Sequence, residues 1–184
     1  MSSRPSSLKI KLKETEKMKN KKILFITQSA LIAALYVALT WLSKAFGLAD
    51  GAIQCRFSEM LCILPVYTPA AVPGLFVGCL LSNFQMGATI WDIVFGSLAT
   101  LLGALGARAL RKHKWFASIP TILSNAIIVG LVIAYASAPN DVFSVFPMLM
   151  LTVGIGEVIS CGIFGTALFF VFERYNSIKK IFTI

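Results

Sequence analysis

Charged residues are scarce in this sequence, and histidine is almost absent. Only 14% of the 184 residues are charged, and His113 is the single histidine, whereas about a quarter of the residues of a soluble domain are charged. One histidine in a basic loop forms neither a metal-binding cluster nor a Ser–His pair within one apolar zone. The phosphate-binding motif Gly-x-x-x-x-Gly-Lys-Ser/Thr is also missing. We therefore expect a chain that is not an enzyme and has no cofactor, no metal and no ATP site of its own.

Paired cysteines and a nucleic-acid-binding pattern are missing as well. The four cysteines are dispersed and form no Cys-x-x-Cys pair; they are Cys55, Cys62, Cys79 and Cys161. This spacing excludes the usual zinc and disulfide frameworks and predicts that the cysteines pack as small apolar residues. The net charge is +9, but the basic residues are not interleaved with aromatic ones, so we do not expect nucleic-acid binding.

Long apolar runs are what the sequence has instead, since 57% of its residues are hydrophobic. Such runs predict an all-α membrane protein with six transmembrane helices. The predicted helices are Ile23 to Ser43, Phe57 to Val66, Pro73 to Phe84, Ile90 to Leu110, Phe116 to Ala136 and Phe143 to Phe172. The second and third are shorter than a bilayer, so we expect them to be tilted or partly broken inside the protein.

The basic residues predict the orientation of these helices. Six spans place the N-terminal segment, the turn between the second and third helices, the loop between the fourth and fifth, and the C-terminus on one side. That side holds fifteen of the seventeen Lys and Arg residues, with Lys44 and Arg56 on the other. By the positive-inside rule both termini are cytoplasmic. The predicted divisions are a basic, disordered tail over 1–21, a six-helix transmembrane domain over 22–176 and a cytoplasmic tail over 177–184.

Several polar residues then fall in the outer half of the membrane. An ionisable residue within a span costs roughly 2.5–3.5 kcal/mol and indicates a functional site by default. The candidates for ligand binding are Gln54, Arg56, Glu59, Asn83, Asp92, Asn125 and Glu157, with Trp41 and Trp91 as aromatic neighbours. Together they predict a ligand pocket open to the exterior, and Glu157, mid-helix between glycines, is its strongest member.

Each candidate also has a structural interpretation. Arg56 and Glu59 have the helical spacing of an ion pair, and Asp92 could be a favourable charge at a helix N-terminus. Asn83 and Asn125 could join neighbouring helices. The tryptophans lie at predicted helix ends, where an aromatic belt would anchor the chain in the interface.

A small-residue stripe runs along the first helix. Ala30, Ala34 and Ala38 recur every four residues, a spacing that lets another helix approach closely. The stripe predicts either packing within the chain or a docking face for a partner subunit.

Three segments resemble one transporter family. The first is Ile53-Gln-Cys-Arg-Phe-Ser-Glu-Met-Leu-Cys-Ile-Leu-Pro65, followed by residues 68–83 and 92–102, while residues 120–130 and 153–157 are similar to later segments. They resemble the QueT family, the queuosine-precursor substrate-binding subunits of energy-coupling factor (ECF) transporters. The resemblance covers nearly everything after Met18.

The resemblance implies a function and a set of partners. It implies a substrate-binding subunit in a prokaryotic cell membrane that captures queuine or 7-aminomethyl-7-deazaguanine from outside. Partners would be a transmembrane coupling subunit, which docks on the alanine face of the first helix, and two cytoplasmic ATPase subunits. In this reading Glu157 or Glu59 accepts the donors of the base edge, and Asn83, Gln54 or Asn125 serves its carbonyl. The alternatives are an ECF subunit for a vitamin of the thiamine or riboflavin type and a stand-alone membrane carrier.

Overall fold

All regular structure in the described part of the chain is helical, as the sequence predicts. A computed structural model describes the backbone of residues 6–48 and 54–175 and the side chains of residues 17–48 and 54–175. Its helical segments, numbered in chain order, are α1 (Ser6–Ala45), α2 (Phe57–Val66), α3 (Ala71–Gln85), α4 (Asp92–Lys112), α5 (Lys114–Ser137) and α6 (Val142–Arg174).

The first helix starts well before the predicted Ile23. It begins at Ser6, so it includes most of the segment for which we expected a disordered tail. The predicted C-terminal tail, 177–184, lies outside the described residues, as do residues 49–53 of the predicted first outer loop.

The outer surface of the bundle is apolar, as expected of a chain that crosses a membrane several times. Among the described residues, four helices are long and apolar enough to span a bilayer: α1 from Lys17 onward, α4, α5 and α6. Large aliphatic side chains such as Leu105, Leu131 and Leu151 are 44–62% exposed on these helices. Lipid tolerates an apolar surface of this extent and water does not. The chain is therefore a multi-pass membrane protein.

The short helix α2 forms the centre of the bundle. It is a 3₁₀ helix of ten residues that includes Pro65, and nearly all of its side chains are buried. It contacts α1, α4 and α6, while α3, α4, α5 and α6 follow one another around the bundle and α1 packs on α3. At a rise of about 2.0 Å per residue it is about 20 Å long, less than a bilayer. Its irregular backbone is acceptable because protein surrounds it.

Helices α1 and α3 approach closely through glycines of α3. A Cβ atom on Gly78 would lie 2.7 Å from Tyr36 Cβ, and one on Gly74 would lie 2.8 Å from Ser29 O. The small residues that allow the two helices to pack closely are thus Gly74 and Gly78 of α3, four residues apart. Ala30, Ala34 and Ala38 are exposed on the opposite side of α1, so the interpretation that this stripe packs within the chain is wrong.

Two wider helical turns occur beside predicted site residues. Residues Asp92–Gly96 and Val158–Phe164 have π-helical hydrogen bonding. The first contains Asp92, and the second follows Glu157 directly. A π-helical turn rotates the residues that follow it relative to a regular α-helix and is frequent at functional sites. Both turns therefore affect which side chains of α4 and α6 face the bundle interior.

Candidate functional site

Two glutamates from different helices meet in the interior of the bundle. Glu59 of α2 is 3% exposed and Glu157 of α6 is 9% exposed. The hydroxyl of Tyr36 donates to Glu59 Oε1, and Asn125 Nδ2 donates to Glu157 Oε1 over 2.9 Å. Two negative carboxylates this close in a low-dielectric interior repel each other. A proton, a cation or several hydrogen-bond donors placed between them would therefore be stabilising. The arrangement is suited to a ligand that presents hydrogen-bond donors.

Cys161 takes part in the same cluster. Its Sγ lies 3.2 Å from Glu157 Oε2 and 3.2 Å from the main-chain oxygen of Glu59, and it can be the donor in either contact. Among the described residues, Glu59, Glu157 and Cys161 could together hold a metal ion, since their ligand atoms lie within 4.8 Å of one another. A metal binds the thiolate and not the thiol. As arranged here, Cys161 has one S–H hydrogen to donate, either to Glu157 Oε2 or to the main-chain oxygen of Glu59.

Arg56 organises a second polar group next to the first. Its Nη1 donates to Asn83 Oδ1 over 3.1 Å, and its Nη2 lies 3.9 Å from Asp92 Oδ2. Asn83 Nδ2 in turn lies 3.3 Å from the main-chain oxygen of Asp92. Among the described residues Arg56 pairs with Asp92 and not with Glu59, so the alternative interpretation of Arg56 and Glu59 as an ion pair is wrong. Arg56 precedes α2 with an extended backbone (φ −103°, ψ 113°), so the helical spacing does not apply to it.

The two polar groups border two neighbouring cavities. The inner cavity, of about 20 Å³, is lined by Glu59, Asn125 and Glu157 together with apolar and hydroxyl side chains. The outer cavity, of about 270 Å³, is lined by Asn83, Asp92 and their neighbours. Gln54 and Arg56 border both. The inner cavity has room for about one water molecule, whereas the outer one approaches the size of a small-molecule pocket.

All the polar residues proposed from the sequence border one of these cavities, but the tryptophans do not. Trp41 Nε1 donates to Gln85 Oε1 over 2.9 Å. The ring of Trp91 packs against Phe95 and Tyr135. Both indoles are about half exposed on the outside of the bundle. Their positions are those of interface anchors, and the structure does not bring them to the cavities.

Two unpartnered acceptors remain beside the cavities. Among the described residues, Asp92 Oδ1 and Asn125 Oδ1 are buried and have no hydrogen-bond partner. A buried acceptor without a donor is unfavourable by about 1–3 kcal/mol. These atoms are therefore where the N–H groups of a ligand would gain most.

Sequence reasoning missed the residues that hold the site in place. Tyr36, which bonds Glu59, and Thr40, which bonds Ser58, lie one turn apart on α1. Two polar side chains at that spacing in an apolar helix are the signal that could have indicated them. Gly156, by contrast, is one of the glycines that the sequence indicated beside Glu157, and it does allow a close approach: a Cβ atom there would lie 2.0 Å from Gln54 O. The glycine before Glu157 thus lets the segment containing Gln54 reach the cavities.

Comparison with known proteins shows the family of this chain. A protein of Lactococcus lactis subsp. cremoris (strain MG1363), the "Queuosine precursor transporter QueT", is 36% identical over 85 residues, which are 46% of this chain and 50% of that protein. The chain therefore spans half the length of this relative. No solved structure matches the chain. Residues 26–174 match the family described as "QueT transporter", and because they are most of the sequence, the chain belongs to the QueT transporter family.

Proposed function

We propose that this chain is the substrate-binding subunit of an ECF-type importer and captures a queuosine precursor with a 7-deazaguanine ring. Family membership and the name of the Lactococcus relative support the substrate class. The observation that carries the proposal is the pair of buried carboxylates, Glu59 and Glu157, beside the amide of Asn125. The substrate is queuine or 7-aminomethyl-7-deazaguanine.

The chemistry of a guanine-like edge matches these side chains. Such an edge offers two adjacent N–H donors and one carbonyl acceptor. A carboxylate accepts both donors, and charged hydrogen bonds of this kind contribute roughly 1.5–3 kcal/mol each. Glu157 or Glu59 takes this role, and an amide or Arg56 serves the carbonyl. The unpartnered oxygen of Asp92 suits a cationic aminomethyl arm.

Access to the inner carboxylates depends on the two residues that the cavities share. The ring first occupies the outer cavity, because the inner one holds little more than a water molecule. Gln54 and Arg56 then move aside, and Arg56 leaves Asn83 and Asp92. The two cavities join, and the ring edge reaches Glu59 and Glu157.

Binding to the purified chain tests this proposal. The ligands are queuine, its aminomethyl and cyano precursors, guanine, and a deazapurine without the 2-amino group. We expect the 2-amino compounds to bind, and Glu157→Gln or Glu59→Gln to weaken binding about tenfold to a hundredfold. The matched control is Glu173→Gln, which changes a glutamate far from both cavities and leaves affinity unchanged. Undiminished affinity in both cavity variants contradicts the assignment.

The proposed topology has six crossings with both termini in the cytoplasm and the cavities open to the exterior. The positive-inside distribution of Lys and Arg supports it. Accessibility labelling of single introduced cysteines tests it. The native cysteines Cys55, Cys62, Cys79 and Cys161 are all buried, so they contribute little background. Labelling of both termini from outside the cell would contradict this topology.

The proposed partners are a transmembrane coupling subunit and two cytoplasmic ATPase subunits. The exposed stripe of Ala30, Ala34 and Ala38 on α1 supports a close helix contact. We expect Ala34→Trp to abolish co-purification of the coupling subunit while ligand binding persists. The control is Leu131→Trp on the exposed face of α5. An Ala34→Trp chain that still co-purifies would place the docking face elsewhere.

A further inference from the structure

Another pocket, separate from the two cavities, lies at the end of α4 that is distant from Asp92. It is formed where α4 ends, α5 begins and α6 ends, and its volume is about 540 Å³. Its walls include Lys112, His113, Lys114, Trp115, Phe170 and Glu173. Since these helix ends follow long apolar stretches, the pocket lies at the boundary between hydrocarbon and headgroups.

The pocket carries unbalanced positive charge. Lys114 Nζ lies 2.6 Å from Glu173 Oε1, so the acidic side chain that the described walls contribute is already paired. Lys112 in the wall and Arg111, which precedes it in the chain just outside the wall, are exposed, and neither has an acidic partner within the described residues. Two cations thus remain for an external anion.

The other walls of the pocket are aromatic. Trp115 is 67% exposed, and Phe116 and Phe170 are each 56% exposed. The Trp115 ring packs 5.3 Å from Phe169 and 5.7 Å from Phe170, centroid to centroid. This apolar wall continues into the apolar surfaces of α5 and α6. A molecule with an anionic head and an apolar chain fits both halves of the pocket.

We propose that this pocket binds an anionic phospholipid. The phosphate lies against Arg111 and Lys112, and an acyl chain follows Trp115 and Phe170 into the bilayer. Basic pockets between transmembrane helices recognise anionic headgroups in this manner, and tryptophan favours the headgroup level. This site goes beyond the proposed transport function, because it shares no residue with the two cavities.

Native mass spectrometry of the full chain with defined lipids tests the proposal. The chain is released from detergent micelles that contain phosphatidylglycerol or phosphatidylcholine. We expect retention of phosphatidylglycerol in preference to phosphatidylcholine. Each basic residue near an anionic surface contributes about a fivefold factor, so Arg111→Gln with Lys112→Gln weakens retention about thirtyfold.

The opposite end of the bundle provides a matched control. Lys44 also lies beside a tryptophan, with its Nζ 5.9 Å from the centroid of the Trp41 ring. We expect Lys44→Gln to retain phosphatidylglycerol like the unchanged chain. Soluble glycerol phosphate does not compete if the acyl chain contributes, and it competes fully if the site takes free phosphate. Equal retention of both lipids, full competition by glycerol phosphate, or retention unaffected by the double change each overturns the proposal.

Discussion

The two ends of the helical bundle hold the same residue types in opposite environments. Near the cavities, Glu59 and Glu157 are 3% and 9% exposed and bond to side chains of other helices. At the far end, the Glu173 side chain is 33% exposed and pairs with Lys114. Burial makes a carboxylate costly unless it is satisfied, whereas an exposed pair contributes little. The difference teaches that location, and not residue type, separates the proposed ligand site from the exposed charges at the other end of the bundle.

The largest effect on the cavity end of the bundle is expected from adding a side chain at Gly156. A Cβ atom there would lie 2.0 Å from the main-chain oxygen of Gln54. Relieving this clash requires the backbone at Gln54 or Gly156 to move, which is more costly than moving a side chain. We expect Gly156→Ala to destabilise the protein by about 3 kcal/mol and to displace Gln54 from both cavities, with loss of ligand binding. Thermal unfolding and ligand affinity of the purified chain measure these effects.

Gly154 supplies the matched control for this change. It lies two residues before Gly156 on the same helix, and a Cβ atom there would be 3.6 Å from Ala126 Cβ, an ordinary contact. We expect Gly154→Ala to leave stability unchanged or to raise it slightly, since alanine favours helix. Equal effects at the two glycines would mean that the approach of Gln54 does not depend on Gly156.

A smaller effect is expected from the ion pair at the outer cavity. Arg56→Gln removes the cation that faces Asp92, whose side chain is 19% exposed and has one oxygen without a partner. We expect a loss of about 1–2 kcal/mol in stability. A thermal-unfolding cycle with Asp92→Asn checks the coupling, and the double variant should lose less than the sum of the two single variants. Strict additivity would show that the pair contributes nothing.

The smallest effect is expected at the far end. Lys114→Gln breaks a pair whose side chains are 35% and 33% exposed, and such pairs contribute up to about 1 kcal/mol and are screened by salt. We expect a small shift in melting temperature that disappears at high salt and no change in ligand affinity. A loss of ligand affinity would mean that the exposed Lys114–Glu173 pair also contributes to ligand binding, contrary to the difference between the two ends described above.

The apolar pattern of the sequence predicted the helices well. The fourth, fifth and sixth predicted spans lie within or close to α4, α5 and α6, because lipid demands long apolar helices whatever their neighbours are. The beginning of α1 was predicted poorly. The polar segment from Ser6 to Lys22 continues the helix, although hydropathy gives no reason to extend it.

Local spacing could not predict the partners of the polar residues. Arg56 and Glu59 are three residues apart, yet Arg56 reaches Asn83 and Asp92 while Glu59 receives the hydroxyl of Tyr36. Both partnerships join elements distant in sequence. They depend on the extended backbone at Arg56 and on the 3₁₀ form of α2, which no periodicity in the sequence reveals.

The sequence by itself determined that this chain is a bundle of apolar helices in a membrane, with its few internal charges concentrated near one end. The reason is that the free energy of transferring a segment from water into the bilayer depends on the residues of that segment and little on the other segments. Only the tertiary structure decided that α2 lies at the centre, that the ligand atoms of Glu59 and Glu157 come close together, and that Gln54 and Arg56 border both cavities. Those features depend on which surfaces approach closely enough to touch, and close approach is set by packing at a few glycines and irregular turns.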